Sequence, residues 1–129
     1  MSQRQGEMVE QDFEKAMESK GKGDYEHAIA QFKRILEKEP KHARAHLNLG
    51  LVYGFVGMFD DSLSELERAA QCDPSSVEAY LSLGKTLCML GMYDDAKKNF
   101  EAVLQLQPGH WEAKKQLSYL NQMGGGGNK

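Results

Sequence analysis

The chain has 129 residues, 27% charged and 40% hydrophobic, with a formal net charge of -3 and a pI near 5.8. That length makes one domain the sensible expectation, and the acidic balance argues against nucleic acid, whose binding draws on a positive patch to neutralise phosphates. No apolar run approaches the roughly 20 residues a membrane helix needs, and the opening MSQRQGEMVEQ has no apolar signal-peptide core, so a cytoplasmic location is the default.

Residues 1–7 are polar and expected to be a flexible N-terminus. A first helix is expected from about Met8 to Lys20, with Phe13, Ala16 and Met17 as its apolar residues. Gly21-Lys22-Gly23-Asp24 breaks it: glycine permits the backbone that ends a helix, and Asp24 is a cap residue for the next. That next helix, about Tyr25 to Lys38, carries Ala28, Ile29, Phe32, Ile35 and Leu36 at helical spacing. Pro40 disfavours continued helix at Glu39.

The plan then recurs. Helices are expected over about Arg44 to Phe55 and Asp60 to Cys72, with Gly57 between them. A third pair runs from Ser75 or Ser76 as cap to about Met89, and from Tyr93 to Leu106, with Gly91 between. Trp111 to Met123 begins a further helix without a mate. Gly124–Gly127, Asn128 and Lys129 read as a flexible Gly-rich tail. Pro40, Pro74 and Pro108 stand 34 residues apart, as do Gly23, Gly57 and Gly91, and Tyr25, Phe59 and Tyr93. A fixed period of this size decides the fold before any residue is read singly.

The repeat resembles the tetratricopeptide repeat (TPR) family. The resemblance rests on Leu49-Gly50 and Leu83-Gly84, on Tyr53 and Leu87 one turn on, on Ala28, Ser62 and Ala96, on Phe32, Leu66 and Phe100, and on the closing prolines. It covers about 110 of the 129 residues. It implies an all-α helix-turn-helix solenoid, a right-handed superhelix of about seven helices: residues 8–123, with repeats 9–42, 43–76 and 77–110 and a capping helix 111–123. The first helix departs from the pattern, with Asp12, Lys15 and Ser19 where the second unit has His46, Leu49 and Tyr53. A terminal repeat, lacking a neighbour on one side, needs such a wetter face. The capping helix should likewise show Lys114, Asn121 and Gln122 to water.

No catalytic or metal constellation emerges, so no enzyme, metal or cofactor is expected. His42 and His46 lie four apart, but His42 falls in a turn and no carboxylate or cysteine joins them in sequence; His46 reads as packing. Asp60-Asp61 and Asp94-Asp95 open helices, where negative charge suits the dipole. Cys72 and Cys88 lack metal or redox spacing and read as reduced thiols.

What remains is a surface. In the family, the first helix of each unit lines a concave groove. The resemblance places Phe13, Met17, Arg44, Leu47, Asn48, Leu51, Phe55, Leu81, Ser82, Lys85, Met89, Lys115 and Tyr119 there. Leu47, Leu51, Phe55, Leu81 and Met89 would take apolar anchors of a partner peptide. Arg44, Asn48, Lys85 and Lys115 would orient it. The family's clamp for chaperone C-termini uses Lys, Asn, Asn, Lys and Arg; here Phe13, Met17, Asn48, Glu78 and Ser82 stand at those positions, and Asn48 alone agrees. The expected function is a monomeric, non-enzymatic scaffold or adaptor that binds a protein segment and is not a chaperone-tail receptor. The alternative is a self-associating scaffold forming homo-oligomers.

Overall fold

The computed structural model describes residues 3–127, and among them every regular element is a helix. These are α1 (Gln3–Gly21), α2 (Tyr25–Lys38), α3 (Ala43–Phe55), α4 (Phe59–Cys72), α5 (Val77–Met89), α6 (Tyr93–Leu106) and α7 (Trp111–Gly127). They fall into two compact units, Met1–Pro74 and Ser75–Lys129, divided at the proline that closes the second repeat.

The same local chemistry turns the chain after α1, α3 and α5. Gly23, Gly57 and Gly91 have φ of 77°, 82° and 76°, a left-handed conformation that costs any side-chain-bearing residue roughly 1–2 kcal/mol. The residue after each glycine donates its N–H back across the turn: Asp24 to Ser19 O at 2.9 Å, Met58 to Tyr53 O at 2.9 Å, Met92 to Leu87 O at 2.8 Å. This six-to-one bond is the Schellman closure of a helix end. The second-type helices end differently. Glu39, Asp73 and Gln107 precede proline and leave the helical region, with φ of -133°, -138° and -137°, because the proline ring crowds a helical predecessor.

In the first unit the core is Val9, Phe13, Ala16, Ala28, Phe32, Ile35, Ala45, Leu49, Val52 and Tyr53, flanked by Tyr25, Ile29 and Leu36. Phe13 and Phe32 meet edge to face, with centroids 5.9 Å apart. In the second unit Leu83, Leu87, Phe100, Val103, Ala113 and Leu120 are buried. Helix pairs close tightly over glycine. A methyl group on Gly50 would lie 2.7 Å from Leu66 Cγ, and one on Gly84 would lie 2.5 Å from the Phe100 ring. Ser62, at the small position opposite Gly50, donates its hydroxyl to Gly50 O at 2.7 Å. The equivalent small residues Ala16, Ala28 and Ala96 have no exposed surface at all.

Both ends differ from expectation. The first helix begins at Gln3, not near Met8: Val9 is buried and anchors the turns ahead of it. The last helix continues through Gly127, not stopping at Met123. None of the tail glycines adopts the left-handed conformation that ends α1, α3 and α5. The remaining expected terminal positions, 1–2 and 128–129, lie outside the described residues.

Candidate functional site

In the first unit, α1 and α3 carry the predicted residues of one face. Phe13 is not on it. The ring is 2% exposed, stacked on His42 at 5.3 Å and covered by the Arg44 guanidinium at 4.3 Å. Phe13 therefore lies beneath the face, and Arg44, held by Glu10 at 3.8 Å, forms the surface above it. Asn48 is also buried. Its Nδ2 donates to Arg44 O at 2.8 Å, and its Oδ1 accepts from Lys20 Nζ at 2.7 Å. The amide is thus already engaged by this chain. Met17 and Phe55 are exposed, Phe55 at 56%, whereas Leu47 and Leu51 are half-buried. Phe55 leans on Tyr25 with centroids 5.5 Å apart, and Lys20 stands 6.0 Å over its ring.

In the second unit, α5 and α7 carry the predicted residues. Leu81 and Ser82 are half-buried; Lys85, Met89, Lys115 and Tyr119 are exposed. Lys85 Nζ reaches Glu112 at 2.6 Å and ties α5 to α7. Lys115 Nζ lies 5.7 Å from the centroid of Trp111. Trp111 is 70% exposed and Tyr119 64%. Sequence reasoning assigned Trp111 only the start of a helix. The signal was present: the 34-residue period places it with Ala43 and Val77, one turn before Leu47, Leu81 and Lys115. The capping helix does turn Lys114, Asn121 and Gln122 to solvent, but it exposes two aromatic rings as well.

Several expectations about the turns and histidines need correction. Asp24 occupies the cap position of α2 without a side-chain cap bond; its carboxylate instead meets His27 Nδ1 at 2.9 Å. That hydrogen bond to His27 holds the Asp24 carboxyl below its usual value. The caps of α3, α5 and α7 are the equivalent residues His42, Ser76 and His110, accepting from Ala45, Ala79 and Ala113 at 3.1, 3.1 and 3.2 Å. His42 therefore presents an unprotonated Nδ1 to the backbone. His46 does have a carboxylate partner: Nδ1 meets Glu65 at 2.8 Å, while Nε2 meets Pro40 O at 2.7 Å. Both ring nitrogens are used, so neither is available as a base or metal ligand. No group of three or more metal-ligating side chains assembles among the described residues. Burial raises the Cys88 thiol above its ordinary pKa, which disfavours the nucleophilic thiolate. The first unit also has a cleft of about 890 Å³ between α2 and α4, with Leu36, Leu49 and Cys72 in its lining. No helix among the described residues is long and apolar enough to cross a membrane.

A TPR repeat family model matches residues 21–55, and a tetratricopeptide repeat model matches residues 65–98. No curated protein matches the chain. Among solved structures, the first TPR of Spaghetti (RPAP3), bound to the HSP90 peptide SRMEEVD, aligns at a TM-score of 0.85 and 25% identity, over 89% of this chain and 91% of that one. The second TPR domain of human RPAP3, in complex with the HSP70 peptide SGPTIEEVD, aligns at 0.85 and 24% identity, over 91% and 98%. The translocator chaperone SycD of Yersinia enterocolitica aligns at 0.85 and 18%, over 91% and 94%. The 34-residue period, the paired helices closed over Gly50 and Gly84, the matches to both repeat models and these structural likenesses agree, and the chain belongs to the tetratricopeptide repeat family.

Proposed function

We propose that the chain is a non-enzymatic interaction module, a scaffold or adaptor, that holds a peptide segment of a partner protein on the faces of its first-type helices. The observation that carries this reading is the exposure of large apolar side chains there. Met17 and Phe55 are exposed in the first unit, and Met89 and Tyr119 in the second. Clustered exposed apolar residues mark interaction surfaces, and a peptide that orders on contact needs only a rigid face with apolar and polar anchors. The peptide bound by the similarly folded RPAP3 TPR supports the class of ligand.

The ligand we propose is not a chaperone C-terminus. Asn48 has both amide groups engaged, Phe13 is buried, and Glu78 brings a negative charge where a carboxylate-binding cation would be needed. A free-C-terminal Glu-Glu-Val-Asp peptide should therefore show no saturable binding by calorimetry; tight binding would contradict this part of the reading.

The test of the whole reading compares wild type with a Met17→Glu, Phe55→Glu double variant in capture from the source lysate. Both substituted side chains are exposed, so the fold should persist, and circular dichroism checks it. A protein retained by wild type and lost from the variant supports the reading. The same proteins retained by both would assign the apolar side chains to packing alone.

A further inference from the structure

We infer that the α7 part of the second unit's face reads an extended segment with an acidic residue between two apolar ones, spaced apolar-x-acidic-x-apolar. The inference rests on the peptide-binding reading above and names the chemistry of that peptide.

Trp111, Lys115 and Tyr119 follow one another at four-residue steps and lie along one side of α7. The two rings are among the most exposed large side chains of the protein, at 70% and 64%. Tryptophan and tyrosine are enriched among the residues that carry the binding energy of protein interfaces. Lys115 stands between them, its ammonium 5.7 Å from the Trp111 ring centre.

Along α7 itself the charge is one-sided. Glu112 is the only carboxylate residue of α7, and it is drawn to Lys85 at 2.6 Å. Lys114 and Lys115 have no carboxylate partner among the described residues. A cationic, aromatic stripe on a protein of net charge -3 therefore selects an anionic partner with apolar side chains.

Spacing sets the pattern. Four helical residues rise about 6 Å, and alternate residues of an extended chain are about 6.6 Å apart on one side. An extended segment beside α7 thus places its first apolar side chain on Trp111, its carboxylate at Lys115 and its second apolar side chain on Tyr119. Single-stranded nucleic acid also combines negative charge with stackable rings, but two unpaired lysines on an acidic protein give it little to neutralise.

Trp111 is the only tryptophan, so its emission reports on this stripe without a label. The probe is a terminally blocked peptide Gly-Leu-Ser-Glu-Ser-Leu-Gly. Its controls carry lysine for the glutamate, or place both leucines at one end. We expect a saturable blue shift with the first peptide, weakened by salt, and at least about tenfold weaker binding for both controls. Lys115→Glu, on an exposed position, should weaken the acidic peptide by about tenfold and favour the lysine control. An unchanged emission, equal binding by Lys115→Glu, or a larger response to oligothymidylate than to the peptide would overturn the inference. If the lysate partner is nevertheless lost from the Met17→Glu, Phe55→Glu variant, the peptide-binding reading stands while this one falls. If that partner is retained and the peptide is not bound, both fall.

Discussion

Gly50 and Gly84 have no room for a methyl group, and Gly54, one turn beyond Gly50, has. A Cβ at Gly84 would lie within 2.8 Å of three Phe100 ring carbons, at Gly50 within 2.8 Å of two Leu66 side-chain carbons, and at Gly54 at 3.5 Å from Ser62 Oγ. Overpacking costs about 1–3 kcal/mol, while replacing glycine inside a helix gains about 1 kcal/mol. Urea denaturation should therefore find Gly84→Ala and Gly50→Ala both destabilised, by up to about 2 kcal/mol; at Gly50 the Leu66 backbone N also lies 3.2 Å from the added Cβ, which rotation of the leucine side chain cannot relieve. Gly54→Ala should be neutral or stabilised by up to about 1 kcal/mol. Equal effects at all three would remove the close-approach argument. Two titrating groups make predictions of their own. The Asp24 carboxyl is held below its usual value by the hydrogen bond to His27. Its contribution to stability is present above the ordinary carboxylate range and is lost as pH falls through the lowered folded value. The stability difference between wild type and Asp24→Asn should therefore shrink in acid, and a difference that grows there would contradict the pairing. The Cys88 thiol is raised by burial, so at pH 7 less of it is thiolate than in a small-molecule thiol. Mass spectrometry should find iodoacetamide reacting with it more slowly than with such a thiol, and faster as pH rises; rapid reaction at pH 7 would indicate an activated cysteine.

The helices were legible in the sequence because their ends carry strong local chemistry. Three glycines at left-handed φ and three pre-proline exits set the boundaries, and the starts of α4 and α6 carry paired aspartates suited to the helix dipole. Gly57→Ala should cost about 1–2 kcal/mol through backbone strain alone, since a Cβ there meets nothing within 4 Å; an unchanged urea midpoint would show that the turn relaxes. The contacts between helices were less legible. His46 and Glu65 are 19 residues apart, and Lys20 and Asn48 are 28 apart. A period says which positions are equivalent, but not which long side chain reaches across. Phe13 illustrates the limit: its register matches Leu47 and Leu81, yet Arg44 and His42, from the start of the next first-type helix and its cap, close over the ring. The same limit applies to Asn48, whose equivalence to a family ligand-binding residue does not reveal that Lys20 and Arg44 occupy its amide. At the chain ends the local signals thin out, and there the helix limits were misjudged by a turn or more.

At the scale of the molecule, repetition buries one side of both helix types and, among the described residues, leaves large apolar side chains exposed mainly on the first-type helices. Second-type helices α2, α4 and α6 contribute Phe32, Leu66 and Phe100, which are fully buried. First-type helices carry the exposed Met17, Phe55, Met89, Trp111 and Tyr119. Buried residues of both types hold each unit together, Leu49, Val52, Leu83 and Leu87 on first-type helices among them, and the proposed function gives the exposed first-type residues to a partner. A change on α7 such as Lys115→Glu should therefore alter binding while leaving the urea midpoint nearly unchanged, as exposed surface substitutions do. The most direct measurement of that assignment is a backbone amide NMR titration with the blocked Gly-Leu-Ser-Glu-Ser-Leu-Gly peptide. Shifted resonances should concentrate on the first-type helices, with the Trp111 indole N–H among them and the outer faces of α2, α4 and α6 silent. Shifts confined to α2, α4 or α6 would contradict the assignment and place the interaction surface on the opposite helix type.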